Sequence, residues 1–173
     1  LIALAQMSQN EHEEARYTLE QLNTSAAETP ANHHLMAIAA AGSGDIGRAE
    51  QELRKALEID QNYLPARIEL ARLALENGKN NEFEQQLEIL SAQAPNNPDV
   101  LLLRAISAKQ KGDSDRAVKL AEQAFALAPD TKSVLALGFQ KEAAGDSDGA
   151  LELYLSWADD NVEDVAVLMR IAN

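Results

Sequence analysis

The 173 residues contain no cysteine. Disulfides, a thiolate nucleophile and cysteine-ligated zinc are therefore excluded, although the redox compartment stays open. Aromatic residues make up only 4% of the chain, with a single Trp. Strand-forming β-branched and aromatic side chains are thus scarce, and an all-β fold is close to excluded. Positive charge is also short: 15 Lys and Arg stand against 28 Asp and Glu, a net charge of −13 with a sequence pI near 4.6. That balance argues against nucleic acid, which is bound by neutralising phosphates with Lys and Arg, and against an anionic membrane surface. No stretch approaches the roughly 18 consecutive apolar residues that span a bilayer. Residues 1–10 lack the basic start and cleavage site of a signal peptide. The first residue is not Met, and the chain reads as an internal fragment of a longer protein.

Helix formers are abundant. The sequence holds 31 Ala and 24 Leu, both favourable in helices. The length suits one domain or one short repeat array, and the hydrophobic and charged fractions, 46% and 25%, are ordinary for a soluble globular chain.

The composition is organised by a period. Four polar breaks open with Gly44, Gly78, Gly112 and Gly145, spaced 34, 34 and 33 residues apart. A few residues after each break stands Ala49, Phe83, Ala117 or Ala150, with Ala15 in step upstream. Seven residues further on come Leu22, Ala56, Leu90, Ala124 and Trp157, while Ala37, Ala71, Ala105 and Gly138 precede each break. Each unit therefore reads as a helix, a Gly-led turn, a second helix and a second turn. Gly permits the left-handed backbone that ends a helix, and the Asp or Asn that follows can cap the next one. Small residues at fixed places let two antiparallel helices approach closely. A single hairpin cannot bury its own apolar faces, so neighbours must stack.

These residues resemble the tetratricopeptide repeat, a 34-residue helix–turn–helix with small residues at its eighth, twentieth and twenty-seventh places. In this register residues 1–29 form a truncated repeat, 30–63, 64–97, 98–131 and 132–164 four further repeats, and 165–173 the start of another. The resemblance implies an all-α fold, an α-solenoid of antiparallel hairpins in a right-handed superhelix, with about ten helices and breaks near Asn10 and the four glycines. The chain departs from the family pattern at Ala40, Ala74 and Ala108, where bulky aromatics are usual, and at Arg67 and Arg104, at commonly buried places. The two-carboxylate clamp of chaperone-binding members is absent, since His34, Ile38, Ile68, Arg72, Leu102 and Ile106 stand at the corresponding inner places.

Motifs that suggest chemistry read better as parts of the repeat. Gly42-Ser43-Gly44-Asp45-Ile46-Gly47 spells a dinucleotide fingerprint, which needs a preceding strand; an alanine-rich helical segment precedes it instead. Asp113-Ser114-Asp115 and Asp146-Ser147-Asp148 begin like a calcium loop, but a helix starts at once after each. His33 and His34 are adjacent rather than spaced i, i+4, so they form no paired metal site. Asn23-Thr24-Ser25 fits a glycosylation triplet that has meaning only in a secreted eukaryotic protein. No catalytic set emerges, and no cofactor or metal is expected.

Function, by the same resemblance, lies on the concave side, where the fifth, ninth and twelfth places of each first helix face inward. Those places hold His34, Ile38 and Ala41; Ile68, Arg72 and Leu75; Leu102, Ile106 and Lys109; and Leu135, Phe139 and Glu142. The expected wall is apolar, with Arg72 and Lys109 as polar contacts to a peptide carboxylate or carbonyl. The expected function is a non-catalytic scaffold that binds a peptide segment or helix of a partner protein. The alternative is a structural spacer within a longer solenoid, and a third is an accessory part of an enzyme. The Ala-rich, acidic style resembles bacterial members of the family, including periplasmic or outer-membrane-anchored arrays that serve export of polysaccharide or sorted proteins. The apolar residues Val165, Leu168, Met169 and Ile171 also suggest end-to-end self-association.

Overall fold

A computed structural model describes residues 2–9, 11–25 and 28–172, without the side chains of residues 4, 13, 20 and 22–25. The break expected near Asn10 and the side chain of Leu22 lie outside this set. Among the described residues there are eleven helices and no strand: α1 (Ile2–Ser8), α2 (His12–Ser25), α3 (Pro30–Gly42), α4 (Ile46–Ile59), α5 (Leu64–Glu76), α6 (Asn80–Gln93), α7 (Pro98–Gln110), α8 (Ser114–Leu127), α9 (Thr131–Ala143), α10 (Ser147–Asp160) and α11 (Val165–Ile171). They fall into two compact units, residues 1–86 and 87–173. Helix α9 opens one residue ahead of the boundary that the repeat spacing gives.

The four glycine breaks are the tight turns. Gly44, Gly78, Gly112 and Gly145 all have positive φ, between 68° and 89°, where a side chain would be strained. Behind three of them an Asp caps the next helix: Asp45 accepts from the Arg48 amide at 3.0 Å, Asp113 from that of Arg116 at 3.1 Å and Asp146 from that of Gly149 at 3.0 Å. The dinucleotide-like glycines and both calcium-like Asp runs are thus helix junctions. Among the described residues no three His, Asp or Glu side chains come together as a metal-ligand set.

In the first unit, α1, α2 and α3 share Ala3, Ala15, Leu19, Met36 and Ala39. Helices α3 and α4 meet through Ala37, Ala40, Ala49, Leu53 and Ala56, and α5 closes this core with Ala66, Leu70 and Leu73. In the second unit α7 and α8 meet through Ala105, Ala108, Ala117, Leu120, Ala121 and Ala124, closed by Leu137 of α9. Ala40, Ala74 and Ala108, where aromatics are usual, are all buried. Helices α9, α10 and α11 share Val134, Ala150, Tyr154 and Val167. Here Gly138 replaces the alanine of the other first helices, and the Tyr154 ring lies against its backbone where a Cβ would sit.

The two arginines at commonly buried places find acceptors on the protein. Arg67 donates to Gln86 Oε1 at 3.1 Å and to the Gln61 carbonyl at 2.7 Å, and Arg104 to the Pro95 carbonyl at 3.3 Å. Through the Gln61 and Pro95 carbonyls their guanidinium groups tie the preceding loops to the helices.

Candidate interaction surface

The inner places of each unit can be followed separately. In the first unit α3 lies against α5. Half-buried His34 makes an edge-on contact with Tyr63 at 5.8 Å between ring centroids, and burial lowers its pKa. Ile38 is 39% exposed, whereas Ile68 is only 7% exposed. Ile38, Ala37, Ala41, Leu53, Glu69 and Leu73 line a cavity of about 30 Å3, the volume of one water. Arg72 reaches Glu69 of its own helix at 3.6 Å, and Leu75 is half-buried.

In the second unit α9 lies against both α7 and α11. Leu102 is 8% exposed and belongs to the α7–α8 core. Ile106 and Leu135 are half-buried, and Leu135 packs beside the α9–α10 core. Phe139 is 47% exposed. The Lys109 ammonium sits 3.8 Å from the centre of the Phe139 ring, a cation–π contact. Glu142 pairs with Arg170 of α11 and accepts from the Tyr154 hydroxyl at 3.4 Å. Burial first, and then the Glu142 charge, push the Tyr154 pKa up against the opposing effect of Arg170. Lys132 of α9 pairs with Asp99 of α7.

The eleven inner residues therefore separate into three kinds. Ile68 and Leu102 are core. Arg72, Lys109 and Glu142 are engaged by neighbours on the protein itself, so the two cations already have local partners. Ile38 and Phe139 supply the accessible apolar surface, one residue in each unit, with His34, Leu75, Ile106 and Leu135 partly covered beside them. Sequence reasoning missed the pairing of Lys109 with Phe139 and of Glu142 with Arg170. For the first pair the signal was there, since the twelfth place of α7 lies near the ninth of α9; Arg170 stands at the sixth place of α11, where the spacing gives no such signal. Met169, 63% exposed at the fifth place of α11, was also passed over as an inner residue.

Two sequence profiles, both of the tetratricopeptide repeat, match this chain, one over residues 40–106 and one over 98–131. Together they cover more than half of it. The chain belongs to the tetratricopeptide repeat family. Its fold class is accordingly an all-α tetratricopeptide solenoid, and the repeat is one of protein–protein interaction. Solved structures agree on the fold. TTC0263, a thermophilic tetratricopeptide protein of Thermus thermophilus, superposes with a TM-score of 0.84 at 20% identity, covering 99% of this chain and 94% of that one. A chain of the Cut9–Hcn1 hetero-tetramer of the APC/C gives 0.84 at 18%, over 99% of this chain and 34% of that one. YrrB, a tetratricopeptide protein with an unusual peptide-binding site, gives 0.61 at 18%, over 80% and 71%. At such identities the likeness is one of fold. No curated protein sequence matches significantly.

Proposed function

We propose that this chain is a non-catalytic binding module that holds a peptide segment or helix of a partner protein on the inner places of its first helices. The observation that carries this reading is Phe139, a large aromatic that the repeat packing leaves nearly half exposed, with Ile106 on the adjoining helix. Large aromatics of this kind commonly dominate an interface once a partner desolvates them. Membership of an interaction-repeat family and the peptide-binding site named for YrrB support the reading. Because Lys109 covers one face of the ring and Glu142 is tied to Arg170, the partner's contribution at this point is apolar. The −13 net charge then selects among apolar segments for those with basic flanks, and association slows as salt rises.

The test is selection of peptides from a displayed library with the chain as bait, followed by binding of the selected peptides to variants. Phe139→Asp and Ile106→Asp abolish binding and leave the helical circular dichroism signal in place. Peptides that bind both variants as well as the parent would overturn the reading in favour of the spacer.

A further inference from the structure

The small cavity of the first unit lies in the seam between α3 and α5. Ala37, Leu53 and Leu73 at its floor are buried, whereas Ile38, Ala41 and Glu69 at its rim are wholly or partly accessible. Ile38 and Ala41 stand at the ninth and twelfth places of α3, so the cavity is a pit that opens on the inner side. Helices α1 and α2 precede this seam and α6 follows it, so the pit is an interior feature of the array. The register explains why it is there. In the second unit the twelfth place holds Lys109, which reaches from α7 to the Phe139 ring at the ninth place of α9. At the same place of α3 the side chain of Ala41 ends at its Cβ. The ninth place of α5 is Arg72, whose guanidinium turns to Glu69 of its own helix at 3.6 Å. The seam stays open between them.

Size and chemistry select the occupant. The pit holds about 30 Å3, room for one water or one methyl group. Glu69 is the one polar side chain in the lining, and a water needs two to four polar partners to be held well. A methyl group, by contrast, sheds its hydration there and gains contacts with the apolar walls. The rim adds charge. Glu69 and Glu76 are seven residues apart and so share a face of α5, with Arg72 as the one cation between them. Their surplus negative charge suits a basic neighbour of the buried methyl.

We propose, resting on the peptide-binding reading above, that this pit receives one alanine side chain of the bound segment, with a lysine or arginine beside that alanine turned to Glu69. Glycine leaves the pit unfilled. Serine buries a hydroxyl among apolar side chains, and any larger side chain exceeds the space. The pit thus fixes which residue of the partner sits over the α3–α5 seam, and so the register of the segment on the first unit.

Peptides selected from a displayed random library with the whole chain as bait test this, together with synthetic copies of a selected peptide. The selected peptides share an alanine next to a lysine or arginine. Exchanging that alanine for glycine weakens binding at least about fourfold, the worth of one methyl group. Exchanging it for valine weakens binding at least about tenfold, because the pit holds no more. Leu73→Val takes a carbon from the floor and reverses this preference, so that the variant binds the valine peptide more tightly than the alanine one. A purely structural role of Leu73 would weaken both peptides alike. Ala41→Val brings two methyl groups to the rim and lowers affinity for the alanine peptide at least about tenfold, with the helical circular dichroism signal kept. Glu69→Gln removes the preference for a basic neighbour. Peptides that are lost with Phe139→Asp and Ile106→Asp but share no alanine overturn this inference alone. So does an alanine that valine replaces without loss, or a Leu73→Val variant with the parental preference. A library that yields no binder overturns this inference and the reading it rests on together.

Discussion

Hairpins α3–α4 and α7–α8 share one register and differ in the chemistry of one contact. In the first, the fourth place is His33 and the twenty-third is Glu52; the imidazole Nδ1 donates to the carboxylate at 2.6 Å, and both side chains are buried. Lys55 adds a second donor to Glu52 at 3.0 Å. In α7–α8 the same two places are Leu101 and Leu120, packed in an apolar core. The intervening hairpin is intermediate, with Arg67 bonded to Gln86, and the last is apolar again, with Val134 and Leu153. In both hairpins the small residues and the turn glycine stand at the same places. The contact is then free to hold a buried carboxylate, a polar pair or an apolar pair, provided that both partners change together. The consequences for stability are unequal. Burying a leucine contributes about 1.5–3 kcal/mol, whereas a buried carboxylate held by donors roughly offsets its own desolvation.

That difference can be broken most severely by removing half of the polar contact. His33→Leu leaves Glu52 buried with only Lys55 for company. Breaking a buried pair costs about 3–5 kcal/mol, and the remaining lysine puts this case near the low end, about 3 kcal/mol. The double change His33→Leu with Glu52→Leu copies the α7–α8 contact into α3–α4 and restores stability to the parent level or above. Amide hydrogen exchange reads this locally, as faster exchange in α3 and α4 for the single variant and parental or slower exchange for the double. Equal exchange in the single and double variants would mean that the two side chains act independently and that the comparison between hairpins is empty.

A second contact sharpens the comparison inside the apolar unit. The eighth and twenty-fourth places pair Ala37 with Leu53 in α3–α4 and Ala105 with Ala121 in α7–α8, but Gly138 with Tyr154 in α9–α10. A Cβ at residue 138 would enter the Tyr154 ring. Gly138→Ala gains up to about 1 kcal/mol of helix propensity but overpacks the crossing by about 1–3 kcal/mol, so the net change is a loss. Gly138→Ala with Tyr154→Leu recovers it, because the pair then matches Ala37 and Leu53. Chemical denaturation of the two variants reads the outcome. A stabilised Gly138→Ala single variant would show that the ring yields freely.

The hairpins were legible in the sequence because their determinants are local. Gly44, Gly78, Gly112 and Gly145 announce the turns, and alanines at recurring places announce the crossings. The inner surface was less legible. Helices α5 and α7 bury residues around most of their circumference: α7 alone buries Leu101, Leu102, Leu103, Ala105, Ser107 and Ala108. A helix that is apolar all round has no single face for periodicity to mark. The spacing of four then three therefore named Ile68 and Phe139 alike, although one is core and the other nearly half exposed. The hydrogen bond of His33 with Glu52 was hidden for another reason. It joins residues 19 apart whose pairing needs the hairpin itself, and the histidine had meaning only once the facing carboxylate was known.

The smallest effect separates the hairpins by pH. Burial alone would raise the Glu52 pKa, but the hydrogen bonds from His33 and Lys55 outweigh it and hold the carboxyl below the ordinary value of 4.5. A folded value lower than the unfolded one means that the native state favours the charged form. The stabilisation is present above pH 4.5 and is lost as pH falls through the lower folded value. Other native carboxylates behave alike: Lys79 and Arg54 hold Glu50 down against burial, so acid weakens the whole chain. The contribution of Glu52 is isolated by difference. Between neutral pH and the range below 4.5, the parent loses more stability than the His33→Leu, Glu52→Leu double variant, and the excess loss is confined to α3–α4 amides. The α7–α8 contact has no titrating group at these places, so its amides respond equally in both proteins. Parallel acid profiles for α3–α4 in the two proteins would mean that the carboxylate gains nothing from its partners, and the polar hairpin would differ from the apolar one in shape alone.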